Sequence, residues 1–423
     1  MSASIRKLLL ISYYWPPCGG PGALRPVKFA KYLPKFGIEP VILTRRDIAY
    51  HSLDYELIND ARDVKTVRTE SWDPARLTYW LGMRKYRPKA WEGPIKKVLN
   101  FPDNKLPWVP FAYYAGLGLD FDAIFVTAPP FSSFIAGYLL ARRTGKPLIL
   151  DFRDAWLEFP FQPYTNRLEK KIVLYWERKL ARAARAITTV DENIRELLVG
   201  KYPEVLPKIS VIPNGYDPDD FRAVKRPPRF TISYLGTIRK ERDPVNLLKG
   251  VAELTAEGKI PEAQMEVKFI GHIEEPYRRA INAFPFTRIL GHLSYASAIR
   301  EFCAAHLAVM IIKGEDYFFP SRQLEYLASG LPIMVNGKSP GAHRLTEAFQ
   351  RGYPGWVFGF GDVPGMKNKI LEIYRKFTRG EDLRGTVPFP GFTRKELTQK
   401  LAGVINSLFR VSDSRYISAS GIQ

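Results

Sequence analysis

Residues 11–25 read ISYYWPPCGGPGALR, and the chain on either side decides what this glycine cluster is for. Immediately upstream, Leu8, Leu9, Leu10 and Ile11 form the continuous apolar run of a strand buried on both faces of a parallel sheet. Downstream, Phe29, Leu33 and Phe36 recur at helical spacing, Gly37 supplies a stop, and PVILT (40–44) reads as a second strand. Strand, glycine loop, helix and strand make a βαβ unit, whose loop lies at the carboxyl end of a strand and whose helix aims free N–H groups at a bound anion. A dinucleotide fingerprint needs GxGxxG, yet Gly20-Pro21-Gly22 is followed three residues on by Arg25, which disfavours a nicotinamide-type cradle. A plain turn and a floor for the phosphates of another ligand both stay open.

The alternation continues along the chain. AIFVT (123–127) precedes SSFIAGYLLARRTG; PLILD (147–151) follows; AITTV (186–190) leads into DENIRELLVG with Asp191 as N-cap; ISVIP (209–213) comes last. The polar, proline-containing DPDDFRAVKRPPRF (217–230) has the composition of a linker. A second series then begins with FTISYLG (230–236), EVKFIG (266–271), RIL (288–290), LAVMII (307–312) and LPIMV (331–335), with helices expected over 244–257, 294–305 and 321–329. Two successive Rossmann-like βα domains follow, over 1–222 and 223–391, with the ligand expected in a cleft between their strand ends. FTRKELTQKLAGVINSLF (392–409) places Leu397, Leu401, Val404, Ile405 and Leu408 on one helical face, so a helix over 392–410 is expected to pack back on the N-terminal domain, leaving 411–423 as a polar tail.

Size and composition agree with this division. A chain of 423 residues exceeds one ordinary core. The net charge of +20 is spread, +9 over residues 1–220 and +11 over 221–423, so it is no basic tail but favours acidic partners such as phosphates or anionic lipid. Cys18 and Cys303 are too few for a disulfide framework and belong to no zinc-spaced cluster, which implies a reducing compartment and no structural metal. Arg6 and Lys7 precede only a short apolar run without a small-residue cleavage site, so no secretory signal is expected. The apolar stretch 123–140 is broken by Pro129-Pro130 and reads as strand, loop and helix. A cytoplasmic location is expected, extending to peripheral attachment on the inner face of the cell membrane.

The densest local signal is PSRQLEYLASGLPIMV (320–335). Proline, serine and a cation open a helix, Glu325 falls about one turn later, and Gly330 caps the end before a buried strand. Ser321 and the helix start suit a phosphate, Arg322 would neutralise it, and Glu325 would meet neighbouring hydroxyls; a capped amphipathic helix packed on a sheet is the structural alternative.

Together with this motif, other segments carry a resemblance. PPCGGPGALR is similar to the N-terminal Gly-Gly loop of the retaining glycosyltransferases of GT-B fold, family 4. VTAPPFSSFIAG and LDFRDAW resemble an N-domain block of bacterial members; VIPNGYDPDDF matches the segment ending the first domain; ISYLGTIRKERDP resembles the glycine loop opening the second. The resemblance implies GT-B architecture, two Rossmann-like domains facing across a cleft, and transfer of a sugar from a nucleotide-sugar donor to an acceptor hydroxyl with retention of configuration and without a metal or other cofactor. The acceptor would be a polysaccharide, a lipid-linked glycan or a small molecule.

On this resemblance, the donor contacts expected on the first domain are Gly19 and Gly20, whose missing side chains let backbone N–H groups come near a diphosphate. On the second they are Gly236, Arg239, Lys240, Arg242 and Leu293, followed by Ser321, Arg322 and Glu325. Glu325 matches the second glutamate of the family's E-x7-E element, expected to accept from the donor ribose; the first would fall at Tyr317, so this chain departs from the pattern, and Glu315 and Asp316 are out of register. Arg239 and Arg322 are expected to stabilise charge on the leaving diphosphate. Asp154 in LDFRDAW is expected to touch a sugar hydroxyl or accept a proton, the alternative being a simple pair with Arg153. A histidine base after the paired prolines is absent, since Phe131 stands there, and His292 in GHLSY is expected to be structural or near the base.

Two decoys fall away: DPDD (217–220) follows NGY and reads as a turn, and NGKSPG (336–341) has Pro332 where a P-loop needs glycine. A basic stretch with Arg84, Lys85, Arg87, Lys89, Lys96 and Lys97, interleaved with Tyr86 and Trp91, suits an anionic membrane surface. Residues 167–185 add seven cations around an apolar stripe, for which a solvated helix is the simpler account. Rival readings are a nucleotide-sugar epimerase or hydrolase of the same architecture, and a non-enzymatic nucleic-acid or polyanion binder; no groove-reading motif supports the latter, and no nucleic-acid partner is expected.

Overall fold

The computed structural model describes residues 6–50, 52–83, 102–158, 164, 167–222, 224–312, 322–337, 343–387 and 389–417. Two compact units emerge, Met1–Asn214 with Arg394–Gln423, and Gly215–Thr393. The sequence drew its first boundary at 222; the contacts divide the chain at Asn214.

In the N-terminal unit the strands are β1 (Arg6–Ile11), β2 (Ile38–Arg45), β3 (Thr66–Thr69), β4 (Ala123–Ala128), β5 (Leu148–Phe152), β6 (Ala186–Thr189) and β7 (Ile209–Val211), ordered β3-β2-β1-β4-β5-β6-β7. All pairings are parallel. The continuous apolar runs have the expected cause, since every residue of β4 and β5 is buried between helices on both faces. Strand order reverses direction between β1 and β4, so the loops after these two strands flank a switch point, where ligands of open α/β sheets bind. The Asp191 N-cap forms as expected, accepting from Ile194 N at 2.8 Å.

The closing helix runs Arg394–Ile417 and packs on the first helix, Pro21–Tyr32, and the short turn Leu33–Phe36. Residues 411–417, expected as a polar tail, therefore continue the helix. Leu397, Leu401 and Ile405 are buried, as their spacing requires.

The C-terminal unit contains β8 (Phe230–Leu235), β9 (Met265–Ile270), β10 (Thr287–Gly291), β11 (Leu307–Ile311), β12 (Ile333–Asn336) and β13 (Gly355–Phe358), in the order β10-β9-β8-β11-β12-β13 and again all parallel. Its switch point falls between β8 and β11. The sequence reading had not marked β3, β13 or the helix Val363–Thr378; the two strands are only four residues long and lie at sheet edges. DPDD forms a short turn over Pro218–Asp220, held by Asp217 accepting from Asp219 N at 3.2 Å. Cys18 and Cys303 are buried free thiols.

Candidate functional site

In the N-terminal unit the glycine loop closes over the switch point for local reasons. Gly20 adopts φ +88°, open to glycine at little cost, and ends the loop as N-cap of the helix Pro21–Tyr32. Gly19 is small for a packing reason, because a Cβ there would meet Ser52 Oγ at 2.8 Å and Asp54 Cβ at 3.0 Å. The loop is pinned from the same side, with Gly19 N donating to Ser52 O at 3.1 Å and Asp54 N to Pro17 O at 2.8 Å.

Two arginines lock the strand ends around this loop. Arg25, at the place of the missing third glycine, forks onto Asp151 at the end of β5, Nε to Oδ2 at 3.0 Å and Nη2 to Oδ1 at 2.8 Å. Thr127 and Thr188 hydroxyls donate to the same carboxylate at 2.8 and 2.7 Å, so all its oxygens are satisfied. Burial alone would raise this carboxyl, but Arg25 and the hydroxyls hold it below its usual value. Asp151 is thereby committed to the scaffold.

Arg153 has a different task. Pro26 lacks an N–H and leaves the Gly22 carbonyl, four residues back, without its helical donor. Arg153 Nη1 takes that acceptor at 2.7 Å, Nε donates to Ala128 O at 3.2 Å, and Nη2 donates to Pro129 O. The guanidinium thus staples the first turn of the helix Pro21–Tyr32 to the loop after β4. Asp154, for which a simple pair with Arg153 is the alternative expectation, makes no hydrogen bond or ion pair with a described residue. Burial raises its carboxyl to about 6, with Arg153 opposing and Asp191 adding to the rise. A half-buried carboxyl poised near neutrality at strand ends suits a proton acceptor or a partner for a sugar hydroxyl.

In the C-terminal unit Gly236 ends β8 and opens the loop with Arg239, Lys240 and Arg242; Lys240 is exposed, whereas Arg239 and Arg242 are half-buried. Tyr234 organises them. Its hydroxyl donates to Thr237 O at 3.1 Å and accepts from Arg242; burial raises its pKa above the usual value, with Arg242, Arg322 and Arg239 all opposing the rise. Three expected phosphate-binding arginines therefore converge on one phenol at the switch point. The helix after β11 spans Gln323–Ala328, so Arg322 is its N-cap and not a first-turn residue. Ser321, Glu315, Asp316 and Tyr317 lie outside the described residues.

Glu325 is buried, 7% exposed. Its Oε1 accepts from Tyr295 at 3.2 Å, while Oε2 has no partner among the described residues. Leu293 is half-buried in the loop after β10, just before the helix Tyr295–Cys303, and His292 beside it is exposed. Tyr326, one residue after Glu325, faces the other way: its buried hydroxyl accepts from Leu235 N at 2.9 Å and lies 3.1 Å from Val309 O, tying β8 to β11. Tyr234, Tyr295 and Tyr326 were not singled out in the sequence, and a tyrosine in an apolar run carries no signal of where its hydroxyl goes.

The family model described as Glycosyltransferase Family 4 matches residues 27–220. The N-terminal unit is a Glycosyltransferase Family 4 domain. Among solved structures, Anabaena HepE in complex with UDP and glucose has a TM-score of 0.61 at 14% identity, with 95% of this chain and 100% of that chain covered. A glycosyltransferase from Rickettsia africae gives 0.55 at 12% identity, covering 99% of each. A protein assigned as a UDP-N-acetylglucosamine 2-epimerase from Listeria monocytogenes gives 0.55 at 12%, covering 96% of each. No curated protein sequence matches this chain significantly. At such identities the likeness is one of fold, and the fold is GT-B: two Rossmann-like parallel-sheet domains.

Proposed function

We propose that this Glycosyltransferase Family 4 protein transfers a sugar from a uridine-diphosphate donor to an acceptor hydroxyl, with retention and without a metal, using its C-terminal unit for the donor and its N-terminal unit for the acceptor. The observation that carries this reading is Glu325: a buried carboxylate with one oxygen held by Tyr295 and the other unpartnered among the described residues suits a hydroxyl donor, and a ribose supplies two adjacent ones. UDP in the Anabaena structure supports the nucleotide class. Arg239, Arg242 and Arg322 would take the diphosphate, whose charge grows as the bond from the anomeric carbon to the leaving oxygen breaks. The acceptor hydroxyl loses its proton as its oxygen bonds that carbon, and Asp154 is the group proposed to receive or steer that proton. Gly20 would contribute its backbone N–H, whereas that of Gly19, expected as a donor contact, is engaged by Ser52 O and leaves Gly19 only a small surface for close approach.

The test is calorimetry with UDP and uridine on wild type and Arg322→Ala. A charge-assisted contact is worth roughly 1.5–3 kcal/mol, so UDP should weaken by at least about tenfold while uridine is unchanged. Equal losses for both ligands would make Arg322 structural. A second reading, donor epimerisation or hydrolysis, draws on the likeness to the Listeria protein; turnover of the nucleotide sugar at full rate without any acceptor would favour it.

A further inference from the structure

The helices Val109–Leu117, Ser132–Thr144 and Arg167–Ala183 pack side by side in the N-terminal unit. The last two make the crossovers β4 to β5 and β5 to β6, which advance in the same direction, so right-handedness puts them on one face of the sheet. The face turned away from the sheet has an unusual makeup.

Along the helix Arg167–Ala183, Val173, Glu177 and Leu180 point inward and are buried. On the outer side Leu168, Lys171, Tyr175, Arg178 and Arg182 follow one another at spacings of four and three residues, and all are exposed. Leu168 is 67% and Tyr175 58% exposed, so large apolar groups stand in water between cations. Arg167, Lys170, Lys171, Arg178 and Arg185 form no ion pair with a described residue. The helix holds two carboxylates; Glu177 is buried and paired with Lys201 at 2.7 Å, leaving Glu169, and from outside the helix Glu204 pairs with Arg182 at 2.7 Å.

The pattern continues onto the neighbouring helices, where Tyr114, Leu117 and Leu139 are exposed. At their ends a groove of about 470 Å³ has apolar walls from Tyr138, Leu148 and Leu408 beside Arg142, Lys146 and Arg185. Isolated exposed apolar residues need no explanation. Here they share one surface with a nearly unopposed block of positive charge, the makeup of a surface that lies at a lipid headgroup boundary.

We infer that this three-helix face docks on an anionic phospholipid bilayer, with the cations meeting headgroup phosphates and Leu168, Leu174 and Tyr175 entering the interface. Charge complementarity selects the occupant: a neutral bilayer offers nothing to the cations, and a nucleic acid gains nothing from Leu168. Among the described residues no helix is long and apolar enough to cross a membrane, so the contact is peripheral. The basic segment expected from the sequence to do this, 84–97, lies outside the described residues. The inference stands apart from the proposed transferase activity.

The experiment is flotation of the full chain with vesicles of phosphatidylcholine alone or with phosphatidylglycerol, alongside UDP binding on the same samples. The chain should float only with the anionic vesicles. A cation near such a surface strengthens binding about fivefold, equivalent to about 1 kcal/mol, so Lys171→Glu with Arg178→Glu should weaken it by at least about 25-fold. Leu168→Ser with Tyr175→Ser should weaken vesicle binding several-fold while leaving any duplex DNA binding unchanged. Since these positions are exposed, melting temperatures should not move; the glutamine versions of the charge variants serve if they do. The inference is overturned by equal, negligible flotation with both vesicles, by loss confined to Lys96→Glu with Lys97→Glu, or by DNA binding that outcompetes vesicles and ignores Leu168→Ser. Loss of UDP binding with flotation intact would strike the proposed function alone.

Discussion

Tyr295 donates its hydroxyl to Glu325 Oε1 across 3.2 Å, fixing a buried carboxylate whose second oxygen meets no donor among the described residues. The pairing joins the first residue of the helix Tyr295–Cys303 to the short helix after β11, so the carboxylate is oriented before any ligand arrives. Removing the hydroxyl should cost that orientation. Tyr295→Phe is expected to weaken UDP about fivefold, the scale of one hydrogen bond of about 1 kcal/mol, in calorimetry, with the unfolding midpoint little changed.

The Arg25–Asp151 fork is a second relationship with a measurable price. Both side chains are at most 1% exposed, so removing either partner strands a buried charge. Arg25→Met should destabilise the N-terminal unit by about 3–5 kcal/mol, read from its urea transition, with UDP binding by the C-terminal unit retained. A loss below about 1 kcal/mol would mean that Asp151 finds other compensation.

How far these features were legible in the sequence follows from what each depends on. Strand positions were readable because β1, β4, β5 and β11 are buried on both faces, which forces unbroken apolar runs. The short strands β3 and β13 lack such runs. Arg25 could be noticed as a broken glycine pattern, but its partner lies 126 residues away and no local rule finds it. Pro26 and Arg153 are likewise linked only once the fold brings the vacant Gly22 carbonyl and the guanidinium together. Glu325 and the arginines were legible because the loops that hold them have a readable motif, whereas the tyrosines that orient them look like core residues until their hydroxyl partners are seen.

Asp154 gives a pH-dependent prediction. Its carboxyl is raised from 3.8 to about 6, so between these values the folded chain holds a proton that the unfolded chain has released. Stability therefore falls as pH rises through that window and the loss is complete above about 6. Asp154→Asn should stabilise by on the order of 1 kcal/mol at neutral pH, after allowance for solvent screening, and the gain should shrink as pH is lowered through 4 in thermal melts. A gain independent of pH would show that the ionisation of Asp154 is not its cause.

The central claim is that Glu325 holds the donor ribose, and one thermodynamic cycle tests it most directly. UDP and its 2′-deoxy and 3′-deoxy counterparts are titrated by calorimetry into wild type and Glu325→Ala. A carboxylate accepts from both hydroxyls and a methyl group from neither. Wild type should prefer UDP by roughly tenfold or more, the scale of a charge-assisted contact, and Glu325→Ala should weaken UDP and erase most of that preference, giving a clear coupling energy. If the losses from substitution and from deoxygenation simply add, Glu325 does not touch the ribose, and the reading of this unit as the donor site is contradicted.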